Sequence, residues 1–338
     1  MPGIAALGIV VLLIAVFAVV TSSRRDGSGP TIAVGRNPIA IAITPDGTTA
    51  YVVNMNSNTV TPVRLATGGI GTAIPVNGLA VSDGARDIAI APDGATAYVG
   101  DEATGTLIPI SLASGMAGTP IAIAGGAGPI AITPDGATAY VVTGDSTVVP
   151  VSLASHTPGK PIPISADAAS IAIAPDGATA YVTSFTHSWT DTGWRDRGGK
   201  VTPITLATGA IGKPIPVGGA PGEIAITPDG STAYVVNSDG NTVIPISLAN
   251  DTSGTPIPDP DDPTAIAIAP DGTTAYVANA DGNGPDGTVT PINLATGTPV
   301  RPIPVGGAPE DIAITPNGTA VYVVNFNDDT VTMIRLKR

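Results

Sequence analysis

A short tripeptide, Pro-Asp-Gly with one Pro-Asn-Gly variant, recurs seven times along this 338-residue chain at intervals of 41 to 53 residues. Each copy follows an Ile-Ala-Ile run and precedes a Tyr-Val pair, and the seven Tyr of these pairs are all the Tyr in the chain. The copies begin at Pro45, Pro92, Pro134, Pro175, Pro228, Pro270 and Pro316. A period of this length indicates a repeat architecture in which every copy folds as one supersecondary unit.

Within one repeat, short β-branched runs separated by turn residues predict four strands, which we name A to D from the centre outward. In the fifth repeat these are residues 223–227, 233–237, 242–248 and 255–258. Pro228-Asp229-Gly230 is the turn between A and B, because Pro fixes φ and Gly accepts a positive φ. Four-stranded units of about 40 to 50 residues repeated radially are β-propeller blades. We therefore predict an all-β, seven-bladed propeller.

The two ends of the repeat array complement each other. Residues 31–35 (TIAVG) match strand D of other repeats, whereas the last repeat ends at its strand C, residues 330–336. We expect the N-terminal strand to complete blade seven, which removes the edges that an open array would expose. The propeller domain is therefore predicted to span residues 31–338.

Composition narrows the function classes. The 42 Gly and 34 Pro of the chain are turn formers that the repeat accounts for, and only 12% of residues are charged. The chain has no Cys, which excludes disulfides, thiolate metal sites and a Cys nucleophile. The net charge of −13 opposes binding to nucleic acid.

The N-terminal segment differs from the rest of the chain. No charged residue occurs from Pro2 to Ser23, and Ile4 to Val20 is almost wholly apolar, so residues 1–25 are predicted to form a hydrophobic helix. Twenty-two helical residues extend about 33 Å, enough to cross a bilayer. We interpret residues 1–25 as a signal peptide or an uncleaved membrane anchor and residues 26–30 as a linker. The expected location is extracytoplasmic, membrane-anchored or secreted; Arg24 and Arg25 leave the opposite, cytoplasm-facing orientation open.

The repeats resemble a known family. Tyr-Val-Val-Asn at residues 51–54, 234–237 and 322–325, together with the downstream Thr-Val and Leu-Ala-Thr-Gly stretches, is similar to the YVTN β-propeller repeat. This resemblance implies a surface-layer or envelope propeller with a binding or structural role. Blades two to four depart from the motif, and we place Gly100, Thr143 and Ser184 at their Asn position.

One loop departs strongly from the repeat. The connection from B to C in blade four, residues 184–200, contains both Trp of the chain. We predict a partner-binding surface formed by His187, Trp189, Trp194, Arg195 and Arg197, because aromatic and Arg side chains dominate binding hot spots. The alternative is a lid that packs onto its own propeller.

Carboxylates are expected near the same mouth of the central channel. We group six of them as the acidic rim: Asp87, Glu223, Asp259, Asp261, Asp262 and Asp311. Such a rim could be a solvated surface, steer a cationic partner or hold a hard cation such as Ca²⁺. Residues 281–286 (DGNGPD) resemble a short calcium loop but lack its distal Glu. We predict no cofactor, with Ca²⁺ as the alternative.

These observations favour a monomeric, non-enzymatic scaffold of the cell envelope that binds a protein or glycan partner. No catalytic residues are predicted, because the chain has no Cys and its two His, His156 and His187, are expected on opposite faces. The alternative is a metal-dependent lactone hydrolase or lyase acting at the channel mouth. Nucleic-acid binding is a weaker alternative.

Overall fold

The computed structural model describes residues 29–76, 85–164, 166–190, 193–259, 262–280 and 286–336. Seven antiparallel sheets form the blades of a propeller, which confirms the predicted fold class. Within the described residues, the longest helix is one 3₁₀ turn, Met55–Ser57, and none could span a membrane. The hydrophobic helix predicted for residues 1–25 lies outside the described residues.

Strands A to C of each blade are regular. The A strands line the centre and are Pro38–Ile43, Ala85–Ile90, Ile130–Ile132, Asp167–Ile173, Pro221–Ile226, Pro263–Ile268 and Pro309–Ile314. The B strands are Thr49–Asn54, Thr96–Asp101, Thr138–Thr143, Thr179–Thr190, Thr232–Asn237, Thr274–Asn279 and Ala320–Asn325. The C strands are Thr59–Arg64, Thr106–Ser111, Thr147–Ser152, Gly193–Thr205, Thr242–Ser247, Thr288–Asn293 and Thr330–Arg335.

The outer strand D is interrupted in blades one to six, where two short segments both pair with strand C. The first segments are Gly69–Ile70, Met116–Ala117, Thr157–Pro158, Ala210–Ile211, Thr252–Ser253 and Thr298–Pro299. The second segments are Ile74–Pro75, Ile121–Ala122, Ile162–Pro163, Ile215–Pro216, Ile257–Pro258 and Ile303–Pro304. Proline is frequent in these segments because an edge strand tolerates the loss of one amide donor.

Blade seven is closed by the N-terminal strand, as predicted. Thr31–Ala33 pairs antiparallel with strand C of blade seven, with Thr31 opposite Thr332 and Ala33 opposite Thr330. The first and last repeats therefore share one sheet, so the ring is closed by the chain itself.

The core consists of seven similar clusters, each lying between two neighbouring blades. The Tyr of each repeat packs against the next blade; Tyr51, for example, shares a cluster with Ile88 and Val99 of blade two. In blade seven the Tyr322 hydroxyl donates to the carbonyl of Leu65 in blade one over 3.3 Å. The repeated Tyr are packing residues, which explains why every blade has one.

The turns between A and B form a second ring at one end of the molecule. Their Gly residues have φ between 65° and 71°, and a Cβ added at any of them would lie 3.3–3.6 Å from the turn Pro of the preceding blade. Gly47 meets Pro316 in this way, which closes the ring. The Asp of the turn accepts local hydrogen bonds, and the Thr44 hydroxyl is the main cause that holds the pKa of Asp46 below its usual value.

Gly100 shows why a repeat consensus can mislead. It occupies the place of Val53 in strand B, and a Cβ at this position would lie 2.5 Å from the carbonyl oxygen of Gly128 in blade three. We expect Gly100→Val to destabilise the fold by about 3 kcal/mol, although it restores the consensus residue. Chemical denaturation measures this, with the wild type as reference; a neutral or stabilising effect would contradict the close approach of the two backbones.

Candidate functional site

A cavity of about 250 Å³ lies in the central channel, lined by the A strands of six blades and by Pro129, the residue before strand A of blade three. The lining residues are Ile39, Asp87, Pro129, Ala169, Ser170, Gly222, Glu223, Thr264, Glu310 and Asp311. Three members of the acidic rim, Asp87, Glu223 and Asp311, are thus brought together in the channel.

These three carboxylates bridge neighbouring blades. Asp87 accepts the N–H of Ile88 in its own blade and that of Ile130 in blade three, both over 2.7 Å. Asp311 likewise accepts the N–H of Ile312 over 2.6 Å and that of Ile41 in blade one over 2.7 Å. The innermost edge of a blade has no further strand to pair with. The carboxylates therefore supply acceptors for amides of that edge.

Glu223 makes the equivalent bridge from blade five, since its Oε2 accepts the N–H of Ile266 over 2.7 Å. Two Thr hydroxyls bridge other blades. Thr183 donates to the carbonyl of Gly222 over 2.8 Å, and Thr264 donates to that of Pro309 over 2.7 Å. Sequence reasoning missed these two Thr, which a residue-by-residue comparison of the repeats would have marked as departures.

The channel raises the pKa of all three carboxyl groups. Burial is the main cause: it raises the pKa of Asp87 to about 6 and, together with the charge of Asp87, that of Asp311 to about 8. Burial and the charge of Asp311 also raise the pKa of Glu223 well above its usual value. Desolvation at Asp87, and desolvation together with neighbouring charges at Glu223 and Asp311, thus outweigh the amide hydrogen bonds that lower the pKa.

The channel therefore contains carboxyl groups that link neighbouring blades and that have raised pKa values. In the described part of the chain, no three His, Asp or Glu side chains form a group that could hold a metal ion. The rim carboxylates of Asp87 and Asp311 are each committed to two backbone amides.

Asp259 and Asp262 are not among the lining residues of this cavity. Asp259 is fully buried and accepts the Thr290 hydroxyl over 3.2 Å. Asp262 is exposed, has a φ of 58°, and its carbonyl accepts the N–H of Ala280 over 3.0 Å. Asp261 lies outside the described residues, as do residues 281–285 of the calcium-like loop.

The blade four insertion is an extended β-hairpin. Its strands contain 12 and 13 residues, Thr179–Thr190 and Gly193–Thr205, where other B and C strands contain six. The ladder continues to the end, with Trp189 opposite Trp194. Because six extra strand residues extend about 20 Å, the hairpin projects from the regular blade. We call the part from 185 to 199 the hairpin arm.

The backbone register also locates the remaining members of the predicted partner-binding set within the arm. His187 lies opposite Asp196, Arg195 opposite Ser188, and Arg197 opposite Thr186. His156, by contrast, occupies the turn between C and D of blade three, where its ring meets Tyr98 edge-on with centroids 6.3 Å apart.

A larger cavity of about 410 Å³ lies at the outer side of blades five and six. Hydroxyl residues such as Ser247, Thr252, Ser253 and Thr255 contribute to its lining, together with Tyr234. Its described lining residues include neither a channel carboxylate nor a residue of the arm.

The Asn position at the end of strand B needs one correction. In blade two the residue opposite Thr106 is Asp101, just as Asn54 lies opposite Thr59, so Asp101 and not Gly100 replaces the Asn. The Asn54 side chain donates to Thr61 of strand C over 2.9 Å and accepts the N–H of Gly35 over 3.0 Å. In blade one the Asn thus connects strand C to the loop before strand A.

Fold and channel together define a seven-bladed β-propeller. No family model matches the chain, and no curated protein matches it. Among solved structures it is similar to hydrazine synthase of Kuenenia stuttgartiensis, with a TM-score of 0.77 and 20% identity over 90% of this chain and 97% of that chain. At this identity the likeness shows the fold alone.

Proposed function

We propose that this chain is a non-enzymatic binding scaffold of the cell envelope, a propeller of the YVTN type that holds its partner through the hairpin arm. One observation carries the proposal: among the residues that the structure describes, a single blade extends its B and C strands, and that extension contains both Trp of the chain. Trp and Arg are the residues that contribute most to binding hot spots. A regular scaffold with one projecting element is typical of proteins whose loops carry function.

The rest of the molecule supports a scaffold. The repeated Tyr, the turn Gly and the channel carboxylates all hold blades together, and each has an evident packing or hydrogen-bonding role. The partner is proposed to be a protein or glycan of the envelope, reached by export or anchoring through residues 1–25. Protease accessibility on intact cells tests the location: digestion of the propeller only after lysis would contradict it.

A loop graft tests the arm. Residues 185–199 are replaced by Ser-Asp-Gly-Asn, the loop 238–241 of blade five. The two loops are exchangeable because each connects an equivalent strand pair: Ser184 lies opposite Lys200, and Asn237 lies opposite Thr242. The Gly199 carbonyl accepts the N–H of Val217 and the Asn241 carbonyl that of Asp259, each donor lying directly after strand D, so the graft preserves this bond. We expect at least a tenfold loss of partner capture from envelope extract and a change in Tm of less than about 3 °C.

The double variant Trp189→Ala/Trp194→Ala should reproduce the loss without altering the backbone. Ser238→Ala/Asp239→Ala in the loop of blade five is the matched control and should bind normally. Unchanged capture by the graft would refute the proposal, whereas a fall in Tm above about 10 °C would identify the arm as a structural lid.

A further inference from the structure

Blade six differs from its neighbours at the fully buried Asn that ends strand B. In blades one, six and seven the amide nitrogen of this Asn donates to a Thr of strand C; in blade six, Asn279 donates to Thr290 over 2.8 Å. The shared contact orients the amide oxygen toward the loop between D and A in blades one and seven, since that oxygen accepts a loop N–H from Gly35 or Gly306.

The corresponding donor is missing in blade six. Gly35 and Gly306 each follow by three residues an Ile that pairs with strand C, and in blade six the residue three after the equivalent Ile257 is Pro260. Proline has no N–H. The Asn279 side chain is fully buried, and its Oδ1 has no hydrogen-bond partner. A buried polar atom in this state requires an explanation, such as an ion or an ordered water.

The residue before Pro260 is also exceptional. Asp259 occupies the position of Val76, Val217 and Val305, yet it is as fully buried as Val76 and Val305. Its Oδ1 accepts the Thr290 hydroxyl over 3.2 Å, and the same hydroxyl oxygen accepts the Asn279 amide. A carboxylate, a hydroxyl and an amide side chain therefore meet in one buried cluster. Asp259 thus replaces an apolar residue of the repeat, and Pro260 replaces a residue that has an N–H donor.

We propose that this blade six cluster, Asp259 with Asn279 Oδ1, binds Ca²⁺. Carboxylate and amide oxygens are ligands that Ca²⁺ accepts. The bond from Ala280 N–H to the Asp262 carbonyl holds the two loops of this blade end together beside the cluster. Because no three acidic or His side chains among the described residues converge, carbonyl oxygens and water complete the coordination shell.

Thermal unfolding of the full chain tests the site, first stripped with EGTA in potassium buffer and then supplied with CaCl₂. We expect Ca²⁺ at about 100 times its Kd to raise Tm by about 5 °C, and calorimetric titration to find one ion per chain. Asp259→Val, which restores the residue of other blades, should fold normally and lose both effects. Asp239→Asn, at an exposed loop of blade five, should retain them.

The alternatives give different results. A buried water, or a direct bond between Asn279 and Asp259, predicts no Ca²⁺ effect on the wild-type Tm, and that outcome would overturn the proposal. So would an equal Ca²⁺ effect in the wild type and in Asp259→Val, because the ion would then bind elsewhere. None of these measurements depends on the partner of the hairpin arm.

Discussion

Removal of residues 1–36 is expected to lower Tm by about 10 °C and to make the chain self-associate. The deletion removes Thr31–Ala33, the strand that completes blade seven, and the apolar contacts of Ile32 and Val34 with the cluster between blades seven and one. It also removes the Gly35 N–H that the buried Asn54 oxygen accepts. Lost burial and hydrogen bonds together cost about 5 kcal/mol, which for a domain of this size corresponds to about 2 °C per kcal/mol.

Self-association follows from the exposed edge. Without the N-terminal strand, Thr330–Arg335 would present an unpaired edge to solvent, and such edges pair with other chains. Removal of residues 1–28 is the control, since it leaves the closing strand intact. Light scattering and thermal melts of the two truncations separate the effects; equal stability of both would show that the ring does not depend on this strand.

Stability is expected to fall as pH rises from 5 to 9, by about 5 °C or more in Tm. The pKa values of Asp87 and Asp311 are raised to about 6 and about 8, and that of Glu223 is also raised, mainly by burial. Between the ordinary carboxyl pKa and these values the folded chain binds more protons than the unfolded chain. The stabilisation is therefore complete below about pH 4 and is lost as pH rises through the folded pKa values.

The triple variant Asp87→Ala/Glu223→Ala/Asp311→Ala tests the origin of this dependence. Ala is the natural residue at the same position in blades one and six, Ala40 and Ala265. At pH 5 the variant should be less stable than the wild type because edge amides lose their acceptors. At pH 9 the difference should shrink by at least half, since the wild type then carries repelling charges in the channel.

Net charge alone must be excluded as the cause. The variant Asp93→Asn/Asp176→Asn/Asp239→Asn removes the same three charges from exposed turns. It should keep the pH dependence of the wild type. If it flattens the profile as strongly as the channel variant, general repulsion in this acidic chain is responsible rather than the bridging carboxylates.

Much of the fold could be predicted because its determinants are local and repeated. The Pro-Asp-Gly turn requires a positive φ at Gly47 and its six counterparts, and β-branched runs flank each turn. The missing strand D of blade seven was evident by counting strands. The interruption of strand D into two segments could not be predicted in this way, because it depends on where strand C offers hydrogen-bonding groups to a Pro-rich edge.

The candidate sites were likewise only partly predictable from the sequence. The insertion in blade four is visible as a break in the period, but the strand pairing that continues from Thr186 to Thr190, beyond a register shift after Ser184, required the structure. Asp87, Glu223 and Asp311 stand out in sequence only as carboxylates before an Ile. Their role as bridges depends on the N–H groups of other blades, some 43 to 270 residues away in the chain.

The sequence by itself determined the number of blades, the ring closure and the one loop that departs from the repeat, because these follow from periodicity and turn chemistry. Only the tertiary structure decided which carboxylates lie in the channel, which amide in blade six lacks its donor, and why Gly100 cannot carry a side chain. The physical reason is that burial, and the match of donors to acceptors, are set between blades that are distant in the chain.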